Sequence, residues 1–328
     1  MRVVFMGSST ASAECLHALM REDVLDIVGI VTQPDRPVGR GKVMTPCPLA
    51  KYAEEHGLGD VMIKPENVNA DAPMETIRNW RPDVVAVVAF GQLLKKPLLD
   101  LPLFGCVNCH FSLLPKYRGA APVVAALAAG ERLTGVTVMH MGVGLDDGPI
   151  MLQSFEPIYP DTTGGTLMND LAIAGGVALA KALRLMSNNA LPPEVPQDPE
   201  RATYARKLTK SDGLIAWDSP VIEIERKIRA YNPWPGCHTF LPERFRRKGS
   251  TGRLVVLRSR IAKMEVGWGF AAPGTVLAVD AKAGPVVKCH DTALLLTEVK
   301  PEGGSAMDGG AFLRGRPLVP FQDSLLPE

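Results

Sequence analysis

Long hydrophobic runs are missing from this 328-residue sequence. In its first half the longest apolar stretch is VVAVVAF at residues 84–90, far shorter than the roughly 20 residues that span a bilayer. The opening MRVVFMGSS turns polar after a strand-length run, so a signal peptide is not predicted. We therefore expect a cytoplasmic protein without a membrane partner.

Cysteine is scarce, and its distribution argues against a disulfide framework. Without a sign of secretion, scattered cysteines are expected to be free thiols. Cys106 and Cys109 have the CxxC spacing of a zinc or redox motif. A second CxxC is missing, however, and residues three apart on a strand face opposite sides. We expect both to be structural and expect no metal site. The six residues are Cys15, Cys47, Cys106, Cys109, Cys237 and Cys289.

A strong excess of charge is also missing, because the formal net charge is only +1 at pH 7. The charge is nevertheless divided unevenly along the chain. Residues 1–195 carry 16 Lys and Arg against 20 Asp and Glu, a net of −4, whereas residues 196–328 carry 20 against 15, a net of +5. The basic C-terminal part hints at a nucleic-acid partner, although solvated Lys and Arg are common on any surface.

The first half alternates apolar runs with helical patterns, which is typical of an α/β fold with a doubly wound, mainly parallel sheet. A helix predicted over residues 163–186 carries an apolar stripe that indicates core packing (Leu167, Leu171, Ala174 and Ala178). The polar, proline-rich residues 190–206 are predicted to be a semi-rigid linker that buries little. Strands are predicted over residues 2–7, 26–33, 83–90, 105–110, 134–140 and 149–158.

After the linker the pattern changes. Ser219 at the N-cap and Pro220 at the first helical position predict a helix over residues 219–230. Its buried face is expected to consist of Val221, Ile224 and Ile228. Four short β-rich runs separated by glycine turns then suggest a small β-barrel. These runs are residues 253–262, 274–280, 284–290 and 292–300.

Polar side chains stand at the end of one predicted strand. Asn108 and His110 lie two residues apart, so they project to the same face while Cys109 projects to the other. Asp146 follows the next strand, in a glycine-rich loop. A strand, crossover and strand of about 30 residues favours parallel strands, which would bring Asp146 to the same sheet edge. Ligands bind at that edge in open α/β sheets, so these three residues form the predicted catalytic set.

A basic loop follows the second predicted strand. Residues 32–48 are rich in Pro and Gly and carry Arg36, Arg40 and Lys42, opposed only by Asp35. Loops of this length inside a domain are usually functional, although a solvated excursion is the plainer alternative. Its position places it on the active-site edge, where it could grip phosphates.

Several long motifs in order resemble one enzyme family. The Asn-x-His pair, SLLPKYRGAAP (residues 112–122) and GLDDGPI (residues 144–150) resemble the folate-dependent formyltransferases. Further motifs resemble the branch of that family that acts on methionyl-tRNA. They are TQPDRPVGRGK (residues 32–42), KLTKSDGLIAWDSP (residues 207–220), RAYNPWPG (residues 229–236) and FLRGRPL (residues 312–318).

The resemblance implies transfer of a formyl group from 10-formyltetrahydrofolate to the α-amino group of methionine on initiator tRNA, without a metal. It implies a Rossmann-like catalytic domain over residues 1–189, a linker over 190–206, and an OB-like tRNA-binding β-barrel over 207–328. Asn108 would stabilise the oxyanion of a tetrahedral intermediate. His110 would assist proton movement. Asp146 would orient the imidazole and favour its protonated form. We expect a monomer.

The resemblance also implies binding residues. The expected folate-binding wall and backbone contacts are Ser112, Leu113, Leu114, Pro115, Phe90, Gly91, Gln92 and Leu93. The expected tRNA contacts are Arg36, Arg40 and Lys42, with Lys207 and Lys210 as weaker candidates.

Two departures from the family pattern and two other functions stay open. The first turn, residues 7–14, lacks the usual family form, and Asp147 stands where Thr or Ser is usual, so it could share the role of Asp146. A formyltransferase for a sugar amine or a glycinamide nucleotide would share the catalytic set but would not need the basic loop and the barrel. A non-catalytic RNA-binding module would leave the catalytic set unexplained.

Overall fold

The computed structural model describes residues 1–39, 41–246 and 248–326, so Arg40 lies outside the described residues. The chain forms two units. The first comprises Met1–Pro122, Leu133–Pro157 and Met168–Ala205, and the second comprises Val123–Arg132, Ile158–Leu167 and Arg206–Glu328. The helices are α1 (Thr10–Leu19), α2 (Pro48–Glu55), α3 (Asp71–Asn79), α4 (Lys96–Leu99), α5 (Pro122–Ala129), α6 (Gly164–Ser187), α7 (Val221–Ala230) and α8 (Gly309–Gly315).

Ten strands occur where the apolar runs predict them, with small differences at their ends, and seven strands of two or three residues are not predicted. The described residues contain seventeen strands in all. They are β1 (Arg2–Gly7), β2 (Asp26–Val31), β3 (Arg36–Val38), β4 (Val43–Thr45), β5 (Met62–Ile63), β6 (Val84–Val88), β7 (Cys106–His110), β8 (Arg118–Gly119), β9 (Leu133–His140), β10 (Ile150–Pro157), β11 (Tyr204–Ala205), β12 (His238–Phe240), β13 (Arg253–Ala262), β14 (Val276–Asp280), β15 (Gly284–Lys288), β16 (Ala293–Pro301) and β17 (Met307–Asp308).

A seven-stranded sheet lies at the centre of the first unit, in the order β10-β9-β7-β6-β1-β2-β5. The five strands from β7 to β5 run parallel. The prediction of an α/β fold with a mainly parallel sheet is therefore confirmed. The carboxyl ends of these strands form one edge, at which polar residues after β1, β2, β6 and β7 lie together.

The predicted parallel relation between the strand of His110 and the strand before Asp146 is wrong. β9 runs antiparallel to β7, with Thr137 opposite His110 and His140 opposite Val107. β10 then pairs antiparallel with β9. An apolar run has the same pattern in either direction. The pattern alone therefore does not distinguish a strand that is parallel to its neighbour from one that is antiparallel. Asp146 consequently lies in the turn of a hairpin.

Helix α6 packs tightly against the sheet. By length and composition it could cross a membrane, yet 56% of its most apolar window is buried within the fold. Leu167, Leu171 and Ala178 are buried, as the stripe predicts. A Cβ at Gly175 would lie 3.0 Å from Cys109 Sγ, so the small residue lets the helix backbone approach β7. The helix therefore belongs to the core. It packs against the face of β7 opposite to Asn108 and His110.

The second unit contains a six-stranded antiparallel sheet in the order β12-β13-β16-β15-β14, with β17 paired to β16. The β-rich runs predicted after the linker are confirmed as this sheet. Helix α7 packs its Val221, Ile224 and Ile228 face into the core of this unit. Its N-cap is Pro220 rather than the predicted Ser219, and the side chain of Pro220 offers no acceptor. Asp291 Oδ1 instead accepts the N–H of Val221 at 2.8 Å.

Replacing Asp291 with Ala should lower the free energy of unfolding by about 1 kcal/mol, since the first turn of α7 loses its side-chain acceptor. The same hydrogen bond is the largest cause that lowers the pKa of Asp291. Its stabilising contribution is therefore present above the ordinary carboxyl pKa and is lost as pH falls through the lowered folded value. Denaturant unfolding at pH 7 and pH 3 measures both effects. The exposed Asp218→Ala variant is the control, and equal stabilities of the two variants would contradict the cap.

Candidate active site

Strand β7 places two polar side chains on one face and a thiol on the other. Asn108 is half-buried, and the side chain of His110 is only 6% exposed. Cys109 projects to the opposite face, where its Sγ lies 3.7 Å from the carbonyl oxygen of Gly175 on α6. Strand alternation thus separates the thiol from the polar pair, as the sequence predicts.

The structure brings Asp146 to this polar pair. Its Oδ1 lies 3.5 Å from Asn108 Nδ2, and its Oδ2 lies 3.6 Å from His110 Nδ1. Both contacts are longer than ordinary hydrogen bonds. Asp146 adopts a left-handed backbone conformation, φ 50°, in the turn between β9 and β10. The turn folds back from the end of β9, which ends opposite Val107, and so reaches the side chains of β7.

Two backbone groups that sequence reasoning missed complete the arrangement. His110 Nε2 lies 2.9 Å from the carbonyl oxygen of Tyr117. Because a carbonyl oxygen only accepts, Nε2 carries the proton and donates it, which leaves Nδ1 bare in the neutral ring. Gly119 N–H donates to Asp146 Oδ2 at 2.7 Å. Main-chain groups of this kind leave no trace in residue type, so no sequence pattern points to them.

Gly119 is required at its position. Its φ is 111°, and an added Cβ would lie 2.7 Å from the carbonyl oxygen of Ala205. Only glycine accommodates both the backbone conformation and the close neighbour. The RG dipeptide of the SLLPKYRGAAP motif therefore has a physical role: it brings a backbone N–H to the carboxylate of Asp146.

Burial controls the protonation of His110. Desolvation lowers the pKa of His110, while the charge of Asp146 and the hydrogen bond to Tyr117 act in the opposite direction. The net shift is downward, so the ring is neutral at pH 7. Asp146 does favour the protonated ring, as predicted, but it does not outweigh the loss of solvent. The unprotonated Nδ1 faces Asp146 Oδ2 at 3.6 Å, so a proton on Nδ1 would lie between the ring and the carboxylate.

Asp147 is exposed and folds back along its own turn. An added Cβ at Gly144 would lie 2.0 Å from Asp147 Oδ2, and one at Gly142 would lie 3.4 Å from Asp147 Oδ1. The contacts to Asn108 and His110 are thus made by Asp146. Within the described ranges 1–39, 41–246 and 248–326, no group of three or more His, Cys, Asp or Glu could hold a metal ion.

The segment after His110 is held by polar contacts of its own. Ser112 is fully buried and its Oγ donates to the carbonyl oxygen of Lys116 at 2.7 Å. Leu114 N–H donates to Thr137 Oγ1 at 3.1 Å. Leu113 and Pro115 lie in the same turn. These expected folate-binding residues therefore present a rigid wall of apolar side chains and backbone, rather than free polar side chains.

The segment after β6 lies at the same edge. Phe90 is buried, and Gly91 has a φ of 84°. The side chain of Gln92 is already engaged, since it accepts from Val68 N–H at 2.8 Å and donates to the carbonyl oxygen of Pro65 at 2.9 Å. Leu93 is 74% exposed. This expected folate-binding stretch again offers backbone and apolar surface.

The basic loop forms a short hairpin of β3 and β4, whose residues are all exposed. Arg36 pairs with Glu66 at 2.7 Å between Nη2 and Oε2. Lys42 stands at the turn with φ 48°. Lys207 and Lys210, in the second unit, are also exposed. Arg40, the other predicted contact, is outside the part of the chain that the structure describes.

Family models match both units. The formyl transferase model covers residues 1–183, and the formyl transferase C-terminal domain model covers residues 207–317. Methionyl-tRNA formyltransferase of Pseudomonas putida strain GB-1 is 42% identical over 317 residues, 96% of each chain. The chain belongs to the methionyl-tRNA formyltransferase family. Its relative from Stutzerimonas stutzeri is 39% identical and covers 96% of this chain and 95% of the relative.

Solved structures of more distant proteins share the fold of this methionyl-tRNA formyltransferase family member. An N-formyltransferase of Helicobacter canadensis in complex with folinic acid and dTDP-3-aminofucose is 16% identical, with a TM-score of 0.58. It covers 90% of this chain and 98% of its own. HypX of Aquifex aeolicus in complex with tetrahydrofolic acid is 15% identical, with a TM-score of 0.58, over 95% of this chain and 47% of its own.

The lowered pKa of His110 predicts the pH dependence of formyl transfer. If the neutral ring accepts a proton, kcat/KM should fall on the acid side only below the ordinary histidine pKa of about 6.5. Asp146→Asn removes the charge that raises the pKa, so the acid limb of the residual rate should move to lower pH. Asp147→Asn is the matched control and should leave the limb in place. A limb above pH 7 in the wild-type chain would contradict the assignment.

Proposed function

We propose that this chain transfers the formyl group of 10-formyltetrahydrofolate to the α-amino group of methionine on initiator tRNA, as a cytoplasmic monomer. One observation carries the chemistry: the carboxylate of Asp146 lies within 3.6 Å of both an amide donor and a bare imidazole nitrogen at a strand end. The family membership and the identity of about 40% to methionyl-tRNA formyltransferases support the two substrates.

The bond changes define what the site must do. The amine nitrogen attacks the formyl carbon, and the carbonyl oxygen becomes an oxyanion. The C–N bond to the folate then breaks, giving an N-formyl amide and tetrahydrofolate, and the proton lost by the amine ends on the folate nitrogen. Asn108 Nδ2 is the donor for the oxyanion, since its hydrogen bond to Asp146, at 3.5 Å, is long and readily exchanged for a stronger acceptor.

Proton transfer is the role of His110 and Asp146. The attacking nitrogen becomes cationic, and the bare Nδ1 of His110 accepts its proton. The resulting imidazolium keeps its Nε2 hydrogen bond to Tyr117 and gains a charged partner in Asp146. His110 then returns the proton to the leaving nitrogen. Burial of both side chains strengthens the attraction between imidazolium and carboxylate, which offsets the cost of the buried charge.

The folate site and the tRNA surface are also proposals. The folate would lie against the backbone and apolar wall of residues 90–93 and 112–115. The exposed Arg36 and Lys42 of the hairpin, and the exposed Lys207 and Lys210, would contact tRNA phosphates. Arg40, outside the described residues, is proposed as a further contact. Residues 1–189 would form the catalytic domain, 190–206 the linker and 207–328 the tRNA-binding domain. In the alternative function, a formyltransferase for a small amine, the hairpin and the second unit would have no role in binding the acceptor.

Replacing Asn108 with Ala should lower kcat by about 10²- to 10³-fold, the usual loss for one oxyanion donor. His110→Ala should cause a loss of about 10²- to 10⁴-fold through general acid–base catalysis. Transfer of labelled formyl from 10-formyltetrahydrofolate to charged initiator tRNA measures both. Asn188→Ala and His290→Ala, at exposed positions, are the controls. Turnover retained by the Asn108 or His110 variant would refute the mechanism.

Replacing Arg36 and Lys42 with Ala should raise KM for tRNA and leave kcat nearly unchanged, because both side chains are exposed and neither contacts Asn108, His110 or Asp146. The slope of log affinity against log salt should decrease in magnitude by about 0.7 to 0.9 for each phosphate that is no longer neutralised. Tetrahydrofolate binding should not change. Lys181→Ala, at an exposed position of α6, is the control. A preference for a small amine over charged tRNA in the wild-type chain would instead support the other formyltransferase function.

A further inference from the structure

The proline-rich segment before the second unit is bonded to the catalytic loop. Tyr117 N–H donates to Thr203 Oγ1 at 2.8 Å, and Arg118 N–H donates to the carbonyl oxygen of Thr203 at 2.8 Å. The short strand β11 then pairs parallel with β8, with Ala205 opposite Gly119. Most side chains of this segment are exposed, as expected of a linker, yet its polar groups contact the loop that supplies Tyr117 and Gly119 to the site.

Gln197 in this segment joins the two loops that meet at Asp146. Its Nε2 donates to the carbonyl oxygen of Asp146 at 2.8 Å and to that of Gly148 at 2.7 Å. Its Oε1 accepts from Arg118, at 3.1 Å from Nε and 2.8 Å from Nη2. One amide group thus satisfies two carbonyl oxygens of the Asp146 turn and two donors of the Arg118 side chain.

The amide has a single favourable orientation. A flipped Gln197 would direct its NH₂ group at the guanidinium of Arg118 and its oxygen at two carbonyl oxygens, so all four contacts would become repulsive. Arg118 is only 6% exposed, and a buried guanidinium needs a polar acceptor. These requirements define the position of the Gln197 side chain and therefore the distance between the two loops.

Asp146 is consequently held from both sides. Gly119 N–H fixes its carboxylate, and Gln197 fixes its main chain in the left-handed conformation that a non-glycine residue rarely adopts. Its contacts to Asn108 and His110 are already 3.5 Å and 3.6 Å, so a small outward shift of the turn would break them. Reacting groups displaced by about 1 Å can lose about 10²-fold in rate.

We infer that Gln197 is a positioning residue for formyl transfer: it holds the Asp146 turn at the distance from His110 and Asn108 that proton transfer requires. The inference rests on the catalytic role proposed above for Asp146. Gln197 acts through the backbone carbonyls of the turn and through Arg118, with a further contact from its Nε2 to Met139 Sδ at 3.7 Å. These hydrogen bonds involve neither His110 nor the Asp146 carboxylate.

Gln197→Glu separates positioning from folding. The new carboxylate still accepts from Arg118, so the buried guanidinium keeps its partner, but it can no longer donate to the carbonyl oxygens of Asp146 and Gly148. We expect kcat, measured at saturating tRNA and folate, to fall about 10- to 10²-fold. Both KM values should stay at the wild-type level. Gln322→Glu, the same change at an exposed position, is the control.

Combining Gln197→Glu with Asp146→Asn provides the decisive comparison. If Gln197 acts only by positioning Asp146, both substitutions remove the same contribution to catalysis. The kcat of the double variant should then be less than about twofold below that of Asp146→Asn alone. Independent, multiplied losses would overturn the inference, and so would wild-type kcat in Gln197→Glu. If Gln197→Glu melts early, the Arg118→Met, Gln197→Met double variant removes both polar partners together and should show the same loss of kcat. Wild-type turnover in Asp146→Asn would refute the catalytic role proposed for Asp146, whereas no formyl transfer to charged tRNA by the wild-type chain would refute the proposed function.

Discussion

A carboxylate and an unprotonated ring nitrogen face each other with both side chains largely buried, and the elements around the pair fix its geometry. His110 has a definite tautomer because Tyr117 accepts its Nε2 proton. Asp146 has a definite position because Gly119 binds its Oδ2. Burial of the ring lowers the pKa of His110 and keeps Nδ1 bare. Strand β7 contributes rigidity, since α6 packs closely behind it at Gly175. The protonation of this ring thus depends more on desolvation than on the neighbouring charge of Asp146.

The sequence predicted what side-chain periodicity encodes. Alternation along one strand correctly separated Asn108 and His110 from Cys109, and apolar runs located the strands of the central sheet. Periodicity does not predict strand direction, because a run of Val and Thr has the same pattern in either direction. The prediction that β9 is parallel to β7 is therefore wrong. The N-cap of α7 was misplaced for a different reason: its acceptor, Asp291, comes from 70 residues further along the chain. Contacts of that range leave no local pattern.

The contacts that the sequence does not predict come from two backbone groups and one side chain. Tyr117 contributes its carbonyl oxygen, Gly119 its N–H, and Gln197, in the predicted linker, its side-chain amide. Residue identity carries no information about a carbonyl, and a single glutamine in a polar segment resembles any solvated side chain. Residue type also does not show whether a polar side chain is free to bind a ligand. Gln92 and Ser112 suggest ligand contacts by type, yet their polar atoms already form hydrogen bonds with backbone groups of the protein.

The orientation of Asp147 has a consequence for how this turn can vary. Its carboxylate lies over Gly142 and Gly144 and does not take part in the pairing of Asp146 with the ring. The position therefore has only to cover two glycines with a short polar side chain, a task that a hydroxyl could perform as well. A substitution of Asp147 would therefore change the conformation of the loop, whereas a substitution of Asp146 would change the contacts to Asn108 and His110.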